Sequence, residues 1–362
     1  MSRIPKIKTK QIGIRHRPLA WLLLILFAAL ILLLLISVSL GPSSLGIGDS
    51  FKILLERLPL LGRLVSHNEY ADKYYTIIFD LRLPRVLLSS LAGASLALVG
   101  AVFQSVFRNP LADPHILGIS SGAALGATLA VVSGLDVAGI LGLGSMGLFA
   151  FVGALLTVVI VFVAAGTRGN DSAMSTMLLI GVALGTLFAS IISLLMLFNH
   201  DKITRVYLWT MGSFSSASWP KVYFVTAIFL PCAIYLLTQG RNLNLLLAGE
   251  EEALGMGLDT ARQRKTLILV CSLLVATTVS VSGIIGFVGL IIPQLLRVLG
   301  QNDLRRQLPL ALLVGGIFVL FCDTVARTLL APVEVPVGII TSLFGVPYFI
   351  SAIIRQRKKE QY

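Results

Sequence analysis

Long stretches without a single charged side chain alternate along this chain with short polar connections, and that alternation predicts its elements. The charge-free windows are Leu19 to Leu40, Val86 to Phe107, Ile116 to Leu135, Val137 to Thr167, Ser172 to Asn199, Val222 to Gly240, Thr266 to Leu296, Gln307 to Cys322 and Val335 to Ile354. A helix needs about 20 apolar residues to cross a bilayer core, so most of these windows suffice for a transmembrane helix. The seventh is 31 residues long, about 46 Å as one helix at about 1.5 Å per residue. Gly283, Gly286, Gly289 and Pro293 in its second half favour a break and a return, so nine windows become ten spans.

Charge decides between nine and ten, because cytoplasmic loops hold the excess of Lys and Arg. With ten spans and the N-terminus inside, the inner segments 1–18, 108–115, 168–171, 241–265, 297–306 and 355–362 hold 19 of the 29 basic residues. Nine spans leave only 13 inside, against the rule. Ten spans with both termini cytoplasmic is therefore the expected topology, in a single transmembrane domain over residues 1–362, an all-α polytopic fold. Composition agrees: 56% hydrophobic and 13% charged residues, with a mean hydropathy of +0.91, lie far from a soluble norm of about 25% charged. The net charge of +12 then reads as orientation charge, with no nucleic-acid partner implied. Leu19 to Leu40 lacks a small-residue cleavage signature and reads as a retained first span.

Three connections exceed a turn. The outer loop 41–85 contains FKILLERLPLLGRLV, apolar and charged at roughly helical spacing, which suits a surface helix. The outer loop from Asn199 to Lys221 carries Trp209, Gly212 and Trp219, aromatics suited to an interfacial belt. The inner loop 241–265 reads RNLNLLLAGEEEALGMGLDTARQRK. It is either a solvated connector or an amphipathic helix pair that docks on another protein, with glycines allowing close approach.

Candidate chemistry is sparse. No Walker A pattern occurs, so the chain itself hydrolyses no ATP. Asp323 and Arg327 near an outer span end and Arg297 near an inner one are almost the only ionisable groups in the apolar segments. An ion-coupled carrier would bury more, and an embedded enzyme would cluster His, Asp, Glu or Ser. Cys232, Cys271 and Cys322 lack CxxC pairing, and His16, His67, His115 and His200 lack metal-ligand spacing, so neither a catalytic nor a metal site is expected. Gly93, Gly100, Gly118, Gly122 and Gly126 read as close helix packing, or as a bland wall for a bulky solute.

Several long motifs in order carry a family resemblance over about Tyr75 to Arg355: RLPR at 82–85, RNPLADPHILG at 108–118, SSGAALG at 120–126, LIGVALG at 179–185, WTMGSF at 209–214, GFVGLIIPQLLR at 286–297, DTVART at 323–328 and VPVGIITSLFGVPYF at 335–349. The chain resembles the FecCD-type permeases, membrane subunits of ATP-driven importers of ferric siderophores, haem and cobalamin. The resemblance implies a type II ABC importer permease architecture with an inverted repeat of spans 2–5 and 7–10. It further implies a dimer of permease subunits in the cytoplasmic (inner) membrane of a prokaryote, two ATP-binding subunits that use the ATP, and an extracytoplasmic binding protein. The substrate expected is a metal chelate, ferric siderophore first and haem or cobalamin next, with no cofactor bound by this chain. Gln294 departs from the family's usual His and cannot titrate near neutrality.

Residue by residue, the resemblance implies that Arg82, Arg85 and Arg327 dock the binding protein; headgroup anchoring or pairing with Asp80 and Asp323 is the alternative. Glu250, Glu251, Ala253, Gly255 and Gly257 match the element that meets the ATPase. Asn109, Pro110 and Leu111 form either an ordinary helix stop or a gate at the inner exit, with Leu111 as an apolar plug.

Overall fold

The computed structural model describes residues 18–41, 47–56, 72–135, 142–166 and 171–360, and it holds no β-strand among them. The basic tail 1–17, the second half of the FKILLERLPLLGRLV stretch and the turn around Arg168 lie outside the described residues. In chain order the helices are α1 (Leu19–Ser39), α2 (Ile47–Glu56), α3 (Asp72–Thr76), α4 (Leu83–Val106), α5 (Ile119–Ser133), α6 (Ser145–Ala165) and α7 (Asp171–Leu197). There follow α8 (Ile203–Thr210), α9 (Trp219–Thr238), α10 (Gly240–Ala248), α11 (Glu250–Gly255), α12 (Thr260–Ser282), α13 (Val288–Val298), α14 (Leu304–Thr328) and α15 (Val337–Glu360). Seven helical runs among the described residues are long and apolar enough to cross a membrane, and Ile119–Ser133, Val288–Val298 and Val337–Ala352 are shorter apolar helices.

The charge-free windows locate the helices but cut them short. The second window starts at Val86, whereas the helix runs unbroken from Asp72 to Val106, 35 residues, with Asp80, Arg82 and Arg85 on it. Charged side chains near a helix end reach water or partners while the backbone still bonds internally, so a charge does not mark where a helix stops. Between α3 and α4 the residues Ile77–Arg82 form a π-helical turn. Pro84 explains it: its ring lacks the N–H that would bond the Asp80 carbonyl, and a wider turn relieves the clash.

The expected break in the seventh window falls at 283–287, between α12 and α13. Gly283 and Phe287 both take left-handed backbone, with φ of +69° and +67°. Irregular backbone among apolar helices must find partners within the protein, and it does. The Ser213 N–H donates to the Ser282 carbonyl at 2.8 Å, and His115 Nε2 donates to the Ile285 carbonyl at 2.9 Å. Gly289 and Pro293, also expected to favour the break, lie inside α13 instead.

Helix α4 is the axis of the bundle, with 89% of its apolar window buried. Two backbone approaches hold it there. A Cβ on Gly93 would collide with the Gly315 carbonyl of α14, and one on Gly100 with Gly289 of α13. These contacts need residues without side chains, the usual route to tight helix packing where no hydrophobic drive exists between helices in lipid. Contacts are reciprocal between two quartets: α4 packs on α14 and α13, while α12 packs on α6 and α5. Helix α1 lies at the rim, its apolar window wholly unburied, and only Ser37, Val38 and Ser39 at its end are enclosed. There Val38, Ile53, Ile78, Val86 and Leu320 make a small second core.

Candidate functional site

The three candidate arginines come together, but around the end of α1 rather than on an open surface. Arg82, turned inward by the π turn, donates from Nη1 to the carbonyls of Val38 at 3.0 Å and Ser39 at 3.3 Å and is buried. Arg327 is buried too, and donates from Nη2 to the Ser37 carbonyl and, at 2.7 Å, to Ser37 Oγ, which also bonds Thr324 Oγ1. These two guanidiniums fasten α1 to α4 and α14. In this chain by itself they present little to a partner, which departs from the expectation that all three arginines dock a protein. Arg85 differs. It pairs with buried Asp323 at 2.9 Å through Nη2 and with Glu334 at 2.8 Å through Nη1, and the Glu334 side chain is 35% exposed. Of the pairings considered from the sequence, Arg85 with Asp323 is formed.

The 241–265 segment folds into a short helix pair, α10 and α11, one of the two readings its pattern allows, before α12 opens on Asp259, whose carboxylate accepts the Arg262 N–H at 3.0 Å. Burial sorts its candidate residues. Ala253 is fully buried and anchors α11. Glu250 turns inward, 3.5 Å from the buried Arg264, and accepts from Thr260 Oγ1. Glu251, Glu252, Gly255 and Gly257 are exposed, together with Leu247, Leu254 at 55% and Met256 at 65% exposure. An apolar patch beside two exposed carboxylates is complementary to a hydrophobic pocket with a basic rim. Nothing would meet a Cβ at Gly255 or Gly257, though φ at Gly257 is +80°.

After α4 the chain makes a compact polar turn. Arg108 takes a positive φ of 47° and its Nε donates to the Leu246 carbonyl of α10 at 2.7 Å. Asn109 Oδ1 accepts the Leu111 N–H at 2.9 Å, an Asx turn that leaves Leu111 half exposed. The candidate gate turn is thus tied directly to the α10–α11 pair.

Sequence reading passed over Gln104, the one amide in the Val86 to Phe107 window. It donates from Nε2 to the Gly289 carbonyl at 3.1 Å and accepts from Arg297 Nη2. Gln294 also accepts from Arg297, at 3.0 Å, so the residue that replaces the family's usual His serves as an acceptor in this cluster. A lone amide in a charge-free window was the available signal. Between α8, the 283–287 break and α15 lies a cleft of about 640 Å³, walled chiefly by apolar side chains including Met211, Ile284, Ile339, Leu343 and Val346. Among the described residues no group of three His, Cys, Asp or Glu could hold a metal ion.

Comparison with known proteins accounts for this arrangement. The profile of the FecCD transport family matches residues 29–355. The hemin transport system permease of Yersinia pestis is 38% identical over 92% of this chain and 97% of its own length. The molybdate import permease of Haemophilus influenzae is 38% identical over 90% and 94%, and a vitamin B12 import permease of Yersinia pseudotuberculosis 38% identical over 79% and 84%. A solved inward-facing structure, described as a metal-chelate type ABC transporter, superposes with a TM-score of 0.78 at 34% identity, covering 93% of this chain and 99% of that one. The all-helical bundle, its α10–α11 pair and the match along nearly the whole sequence converge on one assignment: this chain belongs to the FecCD transport family, as a permease of ATP-driven importers.

Proposed function

We propose that the chain is the membrane-spanning subunit of an importer for a metal chelate, ferric siderophore, haem or cobalamin, handed over by an extracytoplasmic binding protein. In this reading two permease subunits form the pathway in the cytoplasmic membrane and two ATP-binding subunits drive it from inside. The seven long helices and three shorter apolar ones make ten crossings with both termini cytoplasmic. The reciprocal packing of α4–α7 and α12–α15 supports an inverted repeat.

The observation that carries the reading is the α10–α11 surface, where Leu254, Met256, Glu251 and Glu252 stand exposed on a helix anchored by Ala253. Such a surface fits a subunit driven by a separate ATPase better than a self-contained carrier driven by an ion gradient. Through the Arg108–Leu246 bond it is linked to the residue that precedes the 109–111 turn, which supports coupling between the proposed gate and the proposed ATPase contact. At the opposite end of α4, Arg85 with Glu334 is the element of the arginine cluster open enough to meet a binding protein. The apolar cleft beside α15 suits a bulky chelate that is passed along rather than gripped.

The test is uptake into proteoliposomes containing the permease, its ATPase and its binding protein, with a panel of labelled chelates. Uptake of a chelate that requires both ATP and the binding protein supports the reading. Uptake driven by a sodium or proton gradient without ATP would make the chain a secondary carrier.

A further inference from the structure

A second cleft, of about 270 Å³, lies behind α8, between the first turn of α6, the end of α12 and the start of α9. That is roughly nine waters' worth at about 30 Å³ each, room for one small polyatomic group with some water. Among the described residues its lining includes two cations, Arg205 and Lys221, and no carboxylate. Two cations beside one cavity repel each other, a cost that an anion between them reverses.

The donors converge on the cleft. Among the described residues Arg205 has no hydrogen-bond or ion-pair partner, so its whole guanidinium fork is available. Lys221 is held in place by Ser216, donating to its carbonyl at 2.7 Å and its Oγ at 2.8 Å, which leaves one N–H unspent. Ser215 Oγ accepts from Ser213, keeping its own proton free. Gly144 and Gly147 of the α6 first turn line the cleft, and no side chain caps that helix. Ser280 and Ser282 contribute no donor, since their hydroxyls bond the Thr277 and Thr278 carbonyls.

We propose that this cleft binds a carboxylate or phosphate group, with Arg205 and Lys221 as its two cationic contacts. The group belongs either to a soluble anion or to the headgroup of an acidic lipid. The site is separate from the apolar cleft beside α15 and does not depend on which chelate is imported.

The test uses the full-length permease in phosphatidylcholine nanodiscs, titrated with sodium citrate at ionic strength held constant with chloride, and reads the unfolding temperature. A saturable rise for the wild type that is lost, or needs at least tenfold more citrate, in Arg205→Gln supports the site; Lys221→Gln should weaken it as well. In a second arm, discs containing phosphatidylglycerol replace the first. If that lipid raises the unfolding temperature in an Arg205-dependent way and blunts the citrate response, the occupant is a headgroup. If it does neither, the occupant is a soluble anion. No saturable response in either arm, or responses that Arg205→Gln leaves unchanged, would overturn the proposal. Arg205 is exposed and, among the described residues, unpaired, so its variant should fold.

Discussion

Gln104 Nε2 donates to the Gly289 carbonyl oxygen at 3.1 Å, and that oxygen is the one Pro293, four residues on, deprives of its helical donor. One side chain of α4 thereby completes the backbone of α13 and, through its carbonyl, holds Arg297. Gln104→Leu should leave the buried Gly289 carbonyl without this donor, at about 1–3 kcal/mol, and leave Arg297 with Gln294 as its remaining acceptor in the cluster. Thermal unfolding of the purified permease should fall by several degrees. An unchanged unfolding temperature would mean that water takes over the amide's role.

Gly100 tests the same junction sterically. A methyl there must displace the backbone of Gly289, because the colliding atoms are main-chain and cannot swing aside. Gly100→Ala should reduce the yield of folded protein, while Gly286→Ala, which meets nothing within 4 Å, should not. Equal yields from the two variants would refute the close approach.

Gly255→Val is the clean probe of the α10–α11 surface, because its surroundings are open and its backbone is helical. Gly257→Val carries strain of its own at φ +80° and is the poorer choice. Gly255→Val and Met256→Glu should insert and fold normally yet lose the co-purifying ATPase, or its response to loaded binding protein. Wild-type transport by both would leave this segment a mere connector.

At the arginine cluster the geometry separates stability from docking. Arg85→Gln strands the buried Asp323 carboxylate, a loss of about 3–5 kcal/mol, which adding Asp323→Asn should largely restore. Glu334→Gln instead releases the Arg85 Nη1 that Glu334 now holds at 2.8 Å. It should tighten capture of the binding protein and steepen its salt dependence. Capture unchanged in both affinity and salt dependence removes Arg85 from the docking surface.

Leu111→Cys, in a background without the three buried native cysteines, should react with a membrane-impermeant thiol reagent applied from the cytoplasmic side. The rate should change between the resting state and one trapped with a hydrolysis-blocking analogue. The same rate in both states would show that the turn is only a helix stop. Leu111 is preferable to Asn109, whose side chain holds the turn together.

How much of this was legible in the sequence depends on the kind of interaction. Apolar windows and glycine–proline runs are local, and they located α1, α4 to α7, α9, α12, α14 and α15 and the break at Gly283. Motif wording gave the family. Burial is not local, and there the reading fell short. Arg82 and Arg327 look like surface charges in sequence because nothing nearby announces that the carbonyls of Ser37, Val38 and Ser39 will meet them. Ala253 and Glu250 sit in an exposed-looking run, yet one is core and the other faces Arg264. The cleft at Arg205 and Lys221 draws on five separated segments, so no window of sequence contains it.

The run from Asp72 to Val106 is one piece of 35 residues, about 52 Å at about 1.5 Å per residue, and it joins the Arg85 ion pairs to the Arg108–Leu246 bond without a hinge between them. Its neighbours approach it closely at Gly93 and Gly100, while Arg85 ties it to Asp323 of α14 and Gln104 to the Gly289 carbonyl of α13. A strut mounted in this way resists bending and moves together with the helices it is tied to. A load applied at Arg85 would therefore reach Asn109 as motion of the whole rod, the mechanical link that the proposed importer would need between its two faces.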